Sequence, residues 1–306
     1  MTMFFRLRKE ATLRSAVRFA GIGVHSGIYT NVTVLPSRDG AGITFKRTDI
    51  KHGSSIIELS PMSVVDPTMC TRIVNKDGVS VAVIEHLLAA LRICKITNAE
   101  VEVDSGEIPI LDGSAIEFVN AFKQSGIVFQ SSLVPTIRIS EPISVSYKSA
   151  HISIKPSNKQ KCSVTLDYDR INPVIGKSNS YSFNFNDDLE DMAQARTFGW
   201  IADYDKVRAL GFAKGASEDN TIVITEDSFI KNKEGLRNKR EIVMHKCLDL
   251  IGDFSTLGYD ILGEITAINP SHYANNLLMK TLLKESYKHD IIAGKQDNVS
   301  ELLQVA

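Results

Sequence analysis

This sequence predicts an α+β fold, on three observations. Short segments of period-two alternation recur along the chain, amphipathic segments of helical period lie between them, and the strand pattern restarts after residue 136. At 306 residues there is room for two domains, each with its own core.

In the first half "YTNVTVLP" alternates as a strand, "GVSVAVIEHLLAALRI" reads as a strand running into a helix, and "NAEVEVD" alternates again. "GEIPILDGSAIEFVNAFKQSGI" is a loop followed by a helix, with Ser114 and Glu117 at capping-box spacing and a stop near Gly126. "VFQSSLVPT", 128–136, reads as a connector. Strands resume with "TIRISEPISVSY", "HISIKPS", "CSVTLDYD" and "SYSFNF". A helix, a loop, a second short helix and a strand fill the stretch from "LEDMAQ" to "NTIVIT". The charged run "KNKEGLRNKR" reads as a solvated loop. A long helix "REIVMHKCLDLIGDFSTLG", a strand "YDILGEITAI" and a helix "SHYANNLLMKTLLKESYKH" close the pattern.

Composition is that of a globular protein, with 43% hydrophobic residues, 23% charged residues and a formal net charge of -1. A general nucleic-acid binder carries a basic excess, so no nucleic-acid partner is expected. No apolar run approaches the ~20 residues of a membrane-spanning helix. Charges break up the start "MTMFFRLRKE" too often for a secretory signal. Cys70, Cys94, Cys162 and Cys247 show neither C-x-x-C pairing nor disulfide density, so reduced thiols and a cytoplasmic location are expected.

Chemistry concentrates in "MHKCLDLIGD", 244–253. His245, Asp249 and Asp253 step by four and leave nearly the same face of a helix. Met244, Cys247, Leu248, Ile251 and Phe254 make the neighbouring stripe apolar. A His and an Asp at i and i+4 can reach one cation, and a catalytic zinc commonly takes three nitrogen or oxygen donors. His86 in "VIEHLLAAL" is the candidate third donor, with Glu85 before it a candidate base. Spacing alone leaves both stretches open: "HKCLD" also suits a helix-surface pair, and His86 a satisfied semi-buried histidine. "INPSHYANN" puts His272 just before a helix, beside Asn275 and Asn276, and "AQARTFGW" puts Thr197 and Phe198 in a loop. "AGIGVHSG" lacks G-x-G-x-x-G spacing and reads as a tight turn that needs glycine dihedrals.

Taken in order, "GIGVHSG", "PTMCTRIV", "VIEHLLAAL", "EIPILDGSA", "ARTFGW", "MHKCLDLIGD" and "SHYANN" resemble the zinc-dependent UDP-3-O-acyl-N-acetylglucosamine deacetylases of lipid A synthesis. The resemblance implies two similar α+β domains, 1–128 and 136–306, each a sheet layer packed on helices, with the active site at their interface. It implies His86, His245 and Asp249 as ligands of Zn2+, a set that also tolerates Fe2+. Glu85 matches the general base, His272 the protonated histidine that serves the oxyanion and the leaving amine, and Asp253 the carboxylate that orients it. Thr197 matches a hydroxyl near the reacting oxygen, and Lys246 a lysine at the sugar-phosphate region. An insert at about 199–226 would form the acyl-chain passage, with Trp200, Ile201, Val207, Leu210, Phe212 and Ala216 as candidate liners and Phe198 beside them, the alternative being that the liners pack a small core of the insert's own.

The implied substrate is a nucleotide sugar bearing a hydroxyacyl chain, hydrolysed at its N-acetyl group by a monomeric enzyme. One segment departs from the family: where an acidic–aromatic pair faces uracil, "HISIKPS" presents Ser153 and Ile154. Cys70 matches a metal-proximal segment and reads as a buried inert thiol, a second inhibitory zinc being the alternative. Two other functions compete. A metal-dependent dehydratase on a sugar-phosphate-like substrate would want more histidines than seven, none of them adjacent here. A non-catalytic module binding nucleotide sugar or lipid would not need Glu85, His86, His245, Asp249 and His272 together.

Overall fold

The computed structural model describes residues 7–292, apart from 168, 170 and 176–178. The outer ends of both expected domains and Tyr168, in the expected strand "CSVTLDYD", lie outside the described residues. The architecture is α+β, built on two main sheets.

The first sheet has five strands in the order Val17–Ile22, Tyr29–Pro36, Ala99–Val103, Ile43–Arg47 and Ile56–Glu58. Alternation decides its buried face: Val32, Val34, Phe45, Val101 and Val103 point into the core. Helices α1 (Glu85–Ile93) and α2 (Ile116–Ser125) contribute Leu87, Leu88, Leu91, Phe118 and Phe122 to that core. Phe19 meets the rings of Phe118 and Phe122 edge-on, at 4.7 and 5.8 Å between centroids.

The second sheet has seven strands around the long strand Asp260–Ile268. That strand runs parallel to Thr136–Arg138 and Gln160–Thr165 and antiparallel to Ala150–Lys155. Helices α3 (Glu241–Ser255) and α4 (His272–Lys284) pack on it. Every residue of α3 except Lys246 and Ser255 is buried, so the expected apolar stripe is a wholly enclosed helix. It is enclosed because α1 and α4 pack on it from outside the sheet.

The two layers meet where α1 lies against α3. Gly252 makes that approach possible: a Cβ there would stand 2.1 Å from the carbonyl oxygen of Glu85. Val83, between the strand Ser80–Ala82 and α1, sits at φ 59°, a left-handed conformation that a β-branched residue adopts only under constraint. The turn presents Glu85 and His86 as the first two residues of α1.

Three expectations are corrected. The stretch read as a connector is largely the strand Ile127–Leu133, because the strand Lys9–Leu13, remote in sequence, supplies its antiparallel hydrogen-bonding partner. The capping box at Ser114 does not form: α2 starts at Ile116, whose N–H donates to Ser114 Oγ, and Ala115 is the cap residue. "FGW", read as loop, is the strand Phe198–Trp200, parallel to Ile222–Ile224. Ile154 is fully buried in the second sheet and offers no face to a base, while Ser153 is half-buried beside it. A cleft of about 740 Å³ opens at the far ends of α1 and α3, lined by Arg8, Arg92, Phe254 and Asp260 among others; none of the expected site residues lines it.

Candidate active site

The expected donors converge. Among the described residues, His86, His245 and Asp249 form one buried group whose ligand atoms lie within 4.8 Å of one another. Asp249 Oδ1 is 3.3 Å from His245 Nε2 and 3.6 Å from His86 Nε2. Two donors bound ~2.0–2.1 Å from a tetrahedral ion stand about 3.3–3.4 Å apart, so these separations fit a shared cation. The imidazoles are perpendicular, with centroids 5.0 Å apart.

Protonation suits the same purpose. Nδ1 of His245 donates to the carbonyl of Ala195 at 3.0 Å, which leaves the Nε2 lone pair free. Burial pushes the His245 pKa down to about 3, outweighing the pull of Asp249, so the ring is neutral. Burial works to raise the Asp249 pKa, but the positive charges of Lys246 and His272 oppose it, and the carboxylate is held well below its usual range. Lys246 Nζ bonds Asp249 Oδ2 at 2.6 Å and lies 5.9 Å from the Phe198 ring centre.

Beside the donors lies an acid–base pair. Glu85 is buried at the start of α1; its Oε2 accepts the N–H of Thr71 at 3.0 Å and its Oε1 lies 3.7 Å from His272 Nε2. Burial raises the Glu85 pKa, against the lowering effect of His272 and His86. His272 is the first residue of α4, not a residue before it, and Ser271 caps the helix by accepting the N–H of Ala274.

His272 Nδ1 donates to Asp253 Oδ2 at 2.9 Å. Asn275 Nδ2 donates to the same oxygen at 2.8 Å, and the Thr71 hydroxyl to Oδ1. Burial lowers the His272 pKa, but Asp253, Glu85 and Asp249 together raise it to about 9. The three turns of α3 thus divide their work: His245 and Asp249 face the donor group, while Asp253 holds the histidine of the next helix.

This arrangement is what hydrolysis of an amide requires, and the relatives of the chain agree. A family described as UDP-3-O-acyl N-acetylglycosamine deacetylase (LpxC) matches residues 10–284. The chain is 37% identical to the UDP-3-O-acyl-N-acetylglucosamine deacetylase of Nitratiruptor over 286 residues, covering 93% of each. It is 37% identical to that of Haemophilus influenzae over 278 residues, 90% of each. It is 33% identical to that of Helicobacter pylori over 299 residues, 97% of this chain and 99% of the relative. The chain belongs to this deacetylase family.

Of the remaining residues expected of a deacetylase, Phe198 lies beside the cluster. Thr197 is half-buried, its N–H donating to the Gly113 carbonyl and its own carbonyl accepting from Ile222, both at 2.8 Å. The Phe198 ring lies 6.2 Å from that of His245 and 5.6 Å from that of Trp200. None of Trp200, Ile201, Val207, Leu210, Phe212 and Ala216 is buried, so the stretch from 199 to 216 does not close a core of its own. It leans on the "GIGVHSG" turn instead: Phe212 packs edge-on against His25 at 5.1 Å, and the N–H groups of Lys214 and Gly215 donate to the carbonyls of His25 and Val24. Gly27, at φ 70°, supplies the positive dihedral expected of that turn.

All four cysteines are free and buried. Burial pushes the Cys70 thiol far up, as expected of an inert one. Sequence reasoning missed Thr71, which bonds both Glu85 and Asp253, and the buried pair Arg196 and Glu241. Nothing in their spacing marks them, since each acts through residues distant in the chain.

Proposed function

We propose that this chain removes the N-acetyl group from UDP-3-O-acyl-N-acetylglucosamine, releasing acetate and UDP-3-O-acyl-glucosamine, in lipid A synthesis. The observation that carries the reading is the convergence of two imidazole nitrogens and a carboxylate beside a buried Glu–His pair, in a chain that belongs to the deacetylase family. His86, His245 and Asp249 would hold Zn2+, with Fe2+ a chemically acceptable substitute. Such an ion, when bound, supplies Lewis acidity, polarising the acetyl carbonyl and lowering the pKa of water.

Glu85 takes the proton of the attacking water; Thr71 fixes one of its oxygens and leaves the other facing His272. His272, protonated at neutral pH and gripped at Nδ1, presents Nε2–H to the developing oxyanion and then gives that proton to the leaving amine. Asp253 keeps the imidazolium charged and oriented. The Thr197 hydroxyl adds a donor to the oxyanion, and Lys246 exchanges its Asp249 contact for the sugar-phosphate region. The chain divides into 1–128 and 136–306, with Phe198, Trp200 and Phe212 and the insert at about 199–226 guiding the acyl chain. Every donor comes from one copy of the chain, as a monomer requires. Free thiols suit a cytoplasmic setting. Among the described residues no helix is long and apolar enough to cross a membrane.

The test is acetate release from UDP-3-O-acyl-N-acetylglucosamine by purified protein, before and after chelation and after zinc is restored. Activity lost and regained supports the reading. Metal binding without acetate at any acyl length would move the binding module or another hydrolase ahead of it.

A further inference from the structure

The Nε2 lone pair of His245 is free when the ring proton sits on Nδ1, where the N–H donates to the Ala195 carbonyl at 3.0 Å. What holds that carbonyl in place is a fully enclosed ion pair. Arg196 and Glu241, 2% and 1% exposed, are joined by Nε to Oε1 at 2.8 Å and by Nη2 to Oε2 at 3.3 Å, and the backbone N–H of Arg196 also donates to Oε1 at 3.1 Å. Arg196 further donates to Glu234 Oε1 at 2.6 Å and to the Gly235 carbonyl at 2.7 Å, while Glu241 Oε2 accepts the N–H of Arg237 at 2.6 Å. Glu241 is the first residue of α3, one turn before His245. The loop 231–240, exposed along most of its length, is therefore strapped to the pair rather than merely solvated.

We propose that Arg196 and Glu241 are positioning residues for metal binding: they weld the segment bearing the Ala195 carbonyl to the helix bearing His245 and so fix the tautomer of that ligand. A buried charged pair is a costly way to join two segments if only packing is needed, since apolar residues of similar volume often do as well. A planar fork instead fixes direction, because its hydrogen bonds must be met together. Partners one step removed from a metal commonly change its affinity 10–100-fold when altered.

The inference rests on the metal reading above, and the experiment separates the two. Zinc affinity of the apoprotein is measured by competition with a chromophoric chelator for wild type, Arg196→Lys, Glu241→Gln and, as a control, Arg237→Ala. Arg237 contacts Glu241 through its backbone only, its side chain reaching Asp112 and the Gln194 carbonyl. Nitrogen-15 NMR of the His245 ring in the apoproteins reports the tautomer directly.

Folded Arg196→Lys and Glu241→Gln proteins should bind zinc about 10-fold or more weakly and show a mixed tautomer, while Arg237→Ala binds as wild type does. Unchanged affinity and tautomer in both variants overturn the proposal, leaving the pair purely structural. So does failure of both conservative variants to fold. If wild type itself binds no zinc, the metal reading fails first.

Discussion

Nδ1 of His272 donates to Oδ2 of Asp253 at 2.9 Å, with Asp253 wholly withdrawn from solvent. In the proposed mechanism the pair sets the alkaline end of the reaction's pH range. His272, raised to about 9, carries its proton at neutral pH and loses it as pH climbs through that value. A histidine raised on folding also stabilises the fold: that contribution is complete below the unfolded value of about 6.5 and disappears through about 9. As the proposed base Glu85 must be ionised, and its raised pKa puts the acidic limb above the usual carboxylate range. Initial rates across pH 5–10 should trace a bell with its alkaline limb near 9. A rate that keeps rising to pH 10 would remove His272 from the acid role.

Asp253→Asn tests the same pair from the other side. It removes the leading charge that keeps His272 protonated, and an amide can present N–H where the carboxylate presented oxygen. The alkaline limb should move to lower pH, and the maximal rate should fall by about a hundredfold, within the range of general acid catalysis. Zinc content should stay at the wild-type level, because Asp253 lies a turn beyond the donor group. An unshifted limb, measured over the same pH range, would mean that Asp253 only packs.

Gly252→Ala attacks the contact between the layers. A Cβ would sit 2.1 Å from the Glu85 carbonyl oxygen and 2.7 Å from its carbon, both backbone atoms that cannot rotate away. The helices must separate, which costs about 1–3 kcal/mol as overpacking does. Because the displaced residue is the proposed base, kcat should fall more than the loss of folded protein explains. Denaturant midpoints with kcat per folded molecule give both numbers. A variant with wild-type midpoint would show that the layers yield more easily than their close packing suggests.

How far the sequence announces this site depends on the distance over which each residue acts. His245, Asp249 and Asp253 are legible because four-residue steps share a helix face. Assigning the third step to His272 needed the family resemblance, for nothing local says which helix will lie opposite. Thr71 and the Arg196–Glu241 pair leave no periodic trace: Thr71 bonds residues 14 and 182 positions away, and Arg196 one 45 away. The connector at 128–136 misled for a similar reason: its partner strand Lys9–Leu13 is the first one described in the chain. Ile154 illustrates the opposite case, where strict alternation already puts it with Ile152 on the inner face.

The proposed acyl passage gives the last test. Phe212 is half-buried and packs edge-on against His25, joining the insert to the glycine turn of the first sheet. Apolar contact with a chain is uniform binding: it holds ground and transition states equally and appears in KM. Phe212→Ala should therefore raise KM for substrate with a long acyl chain by about tenfold, equivalent to about 1.4 kcal/mol, with kcat little changed. Substrate with a short acyl chain should be barely affected, since it would not reach the ring. Steady-state kinetics with both substrates decide the matter. A fall in kcat on both would mean that Phe212 supports the cluster through His25 and does not contact the acyl chain.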